Sequence, residues 1–397
     1  MEKPVFTGKF TQQEPIPEAA IEAAVRVMRS GRLHRYNLLP GEEGEVSALE
    51  REFAAYTGAR YALAVASGGY AMGCALRALG VGPGDRVLSN GFTLAPVPGA
   101  IASVGAEPVF VETTESLTID LDDLAVKAAS SGAKVLLLSH MRGHICDMER
   151  LVQVAAAHGL QVVEDCAHTM GAAWKGVPSG RHGIIGCYST QTYKHMNSGE
   201  GGLLVSDDAD VMARAIMLSG SYMLYGRHSV GPSVDRYENV KYVTPNVSGR
   251  MDHLRAAILR PQLADLPAQI ARWNALYRTV EEGLRNTPGL KVIERPPQET
   301  IVGSSIQVLL PGWAPDRVRA LVAGCARRGV ELKWFGAEEP VAFTSRYDSW
   351  RYAPPQRLPR TDAILAGLID MRLPLTFSEA NARLIAEIIR DEVRAAA

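Results

Sequence analysis

The chain reads as an α/β protein: a large unit with a mainly parallel sheet covered by helices on both faces, then a smaller C-terminal α/β unit. Three observations predict this. Apolar runs without polar alternation, at Pro108 to Val111, Lys134 to Ser139 and Leu160 to Val163, suit strands buried on both faces. Helical runs at Leu121 to Ala129 and Met148 to His158 separate them, which is the alternation of a parallel sheet. A further strand, Tyr61 to Ala66, passes through Ser67-Gly68-Gly69-Tyr70 directly into a helical run ending at Leu79. The free amides and dipole of such a helix start suit an anion.

The other elements follow in order. Residues 17 to 30 carry apolar side chains at helical spacing and stop at Gly31; a second helix spans Glu45 to Tyr56. A strand starts at Arg86 to Leu88, and Ile184 to Tyr188 is another apolar segment. A helix from Asp208 to Leu218 precedes a long irregular segment, Ser219 to Tyr242, of the length that is functional or disordered. Apolar residues from Met251 to Arg285 recur every three to four positions, predicting a long amphipathic helix bent at Pro261 or Pro267. Beyond it, strands near Leu290 to Ile293, Ile306 to Leu310 and Val330 to Trp334 surround a helix at Pro315 to Arg328. Arg351 to Arg360 reads as a surface loop, and a helix from Ser378 to Ala396 closes the chain. The large unit is therefore set at residues 1–250 and the bridging helix with the small unit at 251–397.

Composition bounds the function. Lysines and arginines number 42 against 43 acids, a net charge of −1, which gives no reason to expect nucleic acid or an anionic membrane as partner. No apolar run reaches the eighteen or so residues of a membrane span, and MEKPVFTGKF lacks a signal peptide's apolar core. The five cysteines have no paired spacing, which suits reduced thiols in the cytoplasm.

The chemistry centres on Val162 to Ser206. Asp165 ends an apolar run, where a buried strand opens onto a crevice, and Lys194 follows a second apolar segment just before Gly199, Gly201 and Gly202. This is what a pyridoxal-phosphate enzyme needs. Its lysine forms a Schiff base with the cofactor aldehyde, and its acid keeps the pyridine nitrogen protonated. The alternative is a pair of solvated surface charges. Against it, Lys194 lies between Tyr193 and His195, Ser189 ends the preceding run where its hydroxyl can reach a phosphate, and Gly-Glu-Gly-Gly admits close backbone approach. Two other readings are weaker. Gly68, Gly69 and Gly73 do not have dinucleotide-loop spacing. His140, His144 and Cys146 have no fourth metal ligand at a recognisable spacing, so no metal is assigned.

The order ED-x-AH-x-x-GA, G-x-x-G-x-x-G, S-x-x-x-x-K-x-x-x-x-GEGG resembles the DegT/StrS aminotransferases, over nearly the whole chain. The resemblance implies a fold-type I pyridoxal-phosphate enzyme that moves an amino group from an amino-acid donor, glutamate or glutamine, to a keto-sugar or keto-cyclitol through pyridoxamine phosphate. It implies Lys194 and Asp165 as catalytic residues, His168 against the cofactor's ring oxygen, and Phe92 or Leu94 over the pyridine ring. It places the phosphate on Gly68, Gly69, Tyr70 and Ser189, with Gly69 standing where the family has Thr. It also implies a homodimer in which Asn246 or Ser248 reaches the partner's phosphate. A related dehydratase branch carries histidine at the lysine position, against which Lys194 speaks; a regulator without turnover is a further alternative, against which Lys194 and Asp165 together speak.

Overall fold

The computed structural model describes residues 3–396. Its central sheet has seven strands in the order Tyr61–Val65, Gly202–Ser206, Ile185–Ser189, Gln161–Asp165, Val135–Ser139, Arg86–Asn90, Glu107–Val111. The five from Ile185–Ser189 to Glu107–Val111 pair in parallel. Gly202–Ser206 runs antiparallel to both of its neighbours, so the sheet is mainly parallel rather than wholly so. Side chains alternate across each strand. Leu136 and Leu138 join one core with the helices Glu45–Thr57, Leu121–Ser131 and Met148–Ala157. Val135 and Leu137 join another, with the helices Gly68–Ala78, Pro96–Ser103 and Ala209–Ser219. Both faces are thus covered, which explains strands that are apolar throughout.

Helix starts follow local chemistry. Asp120, Asp147, Asp208 and Asp252 each accept hydrogen bonds from first-turn amides, and Ser378 forms a reciprocal capping box with Asn381. The long helix is His253–Leu284 and contains both Pro261 and Pro267. Its first half, with Leu259, Leu263 and Leu266, packs under the large sheet, and its second half, with Leu276, Val280 and Leu284, packs in the C-terminal core. Phe6 and Phe10 of the N-terminal arm also enter that C-terminal core, edge-on to Phe377.

The C-terminal sheet runs Lys291–Val292, Ser305–Leu309, Leu368–Arg372, Lys333–Trp334. Its third strand had no signal in sequence, because Asp370 and Arg372 interrupt the apolar run. The expected surface loop at Arg351 to Arg360 is instead a packed strap. Leu358 and Ala353 are buried with Phe110 and Trp350, and a helix, Pro359–Ala366, begins inside the segment. The Gln356 side chain accepts from Phe110 N (2.8 Å) and donates to Pro108 O (2.9 Å), covering the edge strand's open backbone. The irregular segment from Ser219 is anchored by buried Tyr237 and by His228, which meets the buried Arg35–Glu50 ion pair.

Candidate active site

Four adjacent parallel strands end in polar residues at their carboxyl ends: Asn90, Ser139, Asp165 and Ser189. In an open α/β sheet this edge is where ligands bind. Ser139 lies opposite Asp165 in register and donates from Oγ to Asp165 Oδ2 at 3.0 Å. Thr93 Oγ1 donates to the same Ser139 Oγ at 2.8 Å, and Asn90 pairs doubly with the Ser139 backbone. The other Asp165 oxygen accepts from Ala167 N at 3.1 Å. Asp165 is therefore held rigidly at the mouth of the sheet. Ser139, Thr93 and Asn90 were not singled out in sequence; their strand-end positions were the available signal.

Lys194 lies in a loop shaped by Gly199 and Gly201 and pinned from the long helix. Gln262 accepts from Asn197 N and donates to Asn197 O, both at 2.8 Å. Lys194 Nζ is 2.8 Å from His168 Nε2. Burial brings the Lys194 ammonium down to about 7; Arg142, Arg372 and Lys333 add to the fall, and Asp165 opposes it. Burial, with Lys194, Arg142 and Arg372 adding to it, holds His168 well below its ordinary value, so its imidazole is neutral. Arg142 N points at His168 Nδ1 from 3.4 Å, which makes that nitrogen the acceptor. Nε2 then carries the proton and donates to the lone pair of a neutral Lys194 amine.

Gly202 pairs with Val65 on one side and Ser189 on the other. The turn after Val65 therefore lies beside Ser189. A methyl group on Gly202 would lie 2.4 Å from Ser67 O, and one on Gly68 would lie 2.8 Å from Ser189 Cβ. The Gly68 and Gly69 amides start the helix Gly68–Ala78, where no intrahelical acceptor exists. Ser189 and these amides form a tight cradle that suits a phosphate.

The remaining residues singled out in sequence lie around this cradle or away from it. Tyr70 offers the cradle no free donor, because its amide goes to Ser67 Oγ and its hydroxyl to Leu218 O, both at 3.0 Å. Phe92 is sealed in a small core, 5.1 Å edge-on to Phe335, whereas Leu94 is half-buried on its rim. Asn246 and Ser248 are exposed and bond to each other; among the described residues no hydrogen bond joins them to Lys194 or the cradle. His195 is buried, faces Ser304 Oγ at 3.0 Å, and is brought down to about 3 by burial, so it does not replace Lys194. His144, to which no metal was assigned, meets Gln307 and Arg295.

The DegT/DnrJ/EryC1/StrS aminotransferase family matches residues 16–390. The chain belongs to that family. A 3-amino-5-hydroxybenzoate synthase of Amycolatopsis mediterranei is 32% identical over 395 residues, 95% of each chain. An L-glutamine:2-deoxy-scyllo-inosose aminotransferase of Streptoalloteichus tenebrarius is 32% identical over 83% of this chain and 84% of its own. The crystal structure of a 3-amino-5-hydroxybenzoic acid synthase, 28% identical, superposes with a TM-score of 0.82, covering 99% of this chain and 100% of that one. The fold is that of the fold-type I transferases, and the protein is a pyridoxal-phosphate-dependent aminotransferase of this family. The residues present fit the cofactor, with a lysine brought down to about 7, a fixed carboxylate, and helix-start amides that Gly68 and Gly202 allow to lie directly beside the Ser189 hydroxyl.

Proposed function

We propose that the protein moves an amino group from an amino-acid donor, glutamine or glutamate, to a keto-sugar or keto-cyclitol in secondary-metabolite or surface-sugar biosynthesis. The half-buried Lys194 beside His168 and Asp165 carries this reading. The family relatives that act on cyclitols support the substrate class. Bound pyridoxal phosphate would supply an aldehyde that accepts the amino group and a ring that draws electron density from the substrate carbon. Ser189 and the Gly68 and Gly69 amides would hold the phosphate, and Leu94 rather than Phe92 would cover the ring. Asp165 would hold the proton on the ring nitrogen, with Ser139 and Thr93 fixing its orientation. Lys194 Nζ would hold the cofactor covalently through its aldehyde carbon. Once an incoming donor amine released it, the freed amine would take the proton from the donor carbon as general base and deliver it to that cofactor carbon as general acid. Near-neutral basicity suits both tasks.

Two further readings complete the proposal. The enzyme works as a homodimer in which Asn246 or Ser248 serves the partner's phosphate. Their exposure, and that of Tyr242 and Val243 beside them, supports this. It resides in the cytoplasm, as five buried, unpaired cysteines suggest; recovery from secreted or membrane fractions would contradict that. The test of function is direct. Borohydride should fix the cofactor to a peptide containing Lys194, and glutamine with a keto-cyclitol or keto-sugar should give the amino product. Label on another lysine, or no product from any such acceptor, would overturn the assignment.

A further inference from the structure

The loop His140 to His144 leaves the strand Val135–Ser139 and packs against the C-terminal sheet strand Ser305–Leu309. Arg142, at its centre, is buried and holds a left-handed φ of 55°. Its Nε and Nη2 have no hydrogen-bond partner among the described residues. Nη2 lies 2.8 Å from Asp370 Oδ2, but off the axis of a hydrogen bond, so the contact is one of charge alone. Glycine would suit this backbone and leave no cation to bury. A strained backbone kept under a buried, undonated guanidinium is costly, and such strain gathers at functional sites.

The far end of the ion pair is fixed by a chain of donors with only one direction. Arg295 can only donate, so His144 Nδ1 accepts from its Nη1 at 3.0 Å. His144 is neutral, held well below its ordinary value by burial and by Arg295. It therefore gives its Nε2 proton to Gln307 Oε1 at 2.8 Å. Gln307 Nε2 in turn donates to Asp370 Oδ1 at 2.7 Å, which leaves Oδ2 to face Arg142. The near end reaches Lys194 twice. The Arg142 amide points at His168 Nδ1, and a methyl group on the neighbouring Gly143 would lie 3.2 Å from His168 O, so loop and imidazole are in contact. The His168 Nε2 proton is thereby turned to Lys194 Nζ, 2.8 Å away. After burial, the Arg142 guanidinium heads the charges that disfavour the Lys194 ammonium; Arg372 and Lys333 add to it, Asp165 opposes it, and His195 is neutral. Both effects leave a free amine facing a donor, the form that attacks an aldehyde.

We propose that Arg142 is a positioning residue for Lys194: anchored by Asp370 of the C-terminal sheet, it fixes the His168 tautomer through its amide and keeps a cation beside the lysine. This rests on Lys194 being the reactive lysine. The test uses the full-length, cofactor-free protein. Nitrogen-15 NMR of labelled histidine, with the His168 signals assigned by their loss in His168→Gln, should show Nδ1 bare and Nε2 protonated. Asp370→Asn keeps the acceptor for Gln307 but frees Arg142, and should shift His168 toward the other tautomer. Brief acetic anhydride pulses across pH, read by peptide mass, give the midpoint of the free Lys194 amine. In Arg142→Gln that midpoint should rise by about one pH unit, so that acetylation at pH 7 falls about fivefold. Arg142→Lys retains a cation and should stay near wild type, which a merely structural role would not require. Circular dichroism shows that each variant is folded, and the wild-type tautomer decides even where a variant is not. A wild-type His168 protonated on Nδ1, an unshifted His168 in Asp370→Asn, an unmoved midpoint in Arg142→Gln, or an equal rise in Arg142→Lys would each overturn the proposal. Cofactor fixed by borohydride to another lysine would instead count against the function, and the Lys194 midpoints would still be read.

Discussion

The near-neutral Lys194 amine makes a quantitative prediction for the cofactor-free protein. Its fall from 10.5 to about 7 means that the native state disfavours the ammonium. The unfolded chain keeps that proton up to about 10.5, so between those values the unfolded state binds more protons and native stability rises with pH. The full difference is about 5 kcal/mol, an upper bound because Lys194 is half-buried rather than sealed. Lys194→Met removes the charge at similar volume. The variant should be more stable than wild type by close to the full amount below pH 7. The advantage should shrink to about 3 kcal/mol near pH 8 and about 1 kcal/mol near pH 9.5. Lys333, at about 8, titrates in the same window, so both proteins should carry Lys333→Gln. His168 and His195 are already neutral there. Urea unfolding at several pH values gives the comparison. A stability difference that stays flat from pH 6.5 to about pH 9.5 would show that Lys194 titrates like a surface lysine, and the account of its reactivity would fall.

Three other outcomes are expected. Asp165→Asn should keep the cofactor, since Ala167 N can still donate to the amide oxygen, but should lose on the order of 100-fold or more in turnover; near-native rates would remove Asp165 from the ring nitrogen. Glu164→Gln should cost about 3–5 kcal/mol in urea unfolding, because one amide group cannot accept from the four donors now around that carboxylate. A change under about 0.5 kcal/mol would refute this. Mixing inactive Lys194→Ala with a protein carrying bulky replacements at Asn246 and Ser248 should restore activity through hybrid dimers. Confirmed subunit exchange without activity would confine that segment to its own chain.

Legibility in the sequence followed the range over which each feature is encoded. Asp165, Ser189 and Lys194 lie at strand ends or in a glycine-flanked loop within one stretch, so local spacing identifies them. The cradle was legible for the same reason, except at Tyr70, whose hydroxyl partner Leu218 lies far along the chain. Phe92 and Leu94 could not be separated because Phe335, which encloses Phe92, comes from the other end of the protein. The cations Arg142, Lys333 and Arg372 come from three distant segments, and each looks like an ordinary surface charge in its own neighbourhood. Only the pairing of Lys333–Trp334 with Leu368–Arg372, and the approach of that sheet to the His140 to His144 loop, brings them to Lys194.

The adjacent acids Glu164 and Asp165 show how the strand itself divides structural from chemical roles. Both are carboxylates at one strand end, and composition alone offers no choice between them. Alternation sends them to opposite faces. Glu164 turns into the protein and is fully buried, where Oε1 accepts from His182 N (2.8 Å) and Gly183 N (2.7 Å). Its Oε2 accepts from Gly180 N and meets His140 Nε2, both at 2.9 Å. Burial pushes its carboxyl up, but the His140 and His182 side chains outweigh this and hold it well below the usual range, and the four donors leave no free lone pair for an ion, although His140 and Cys166 come within 4.8 Å of it. Asp165 has two partners instead of four, and its remaining acceptor capacity faces the carboxyl edge of the sheet. The saturated acid fixes the glycine turns that shape the site. The unsaturated one is free to hold a proton on a ligand.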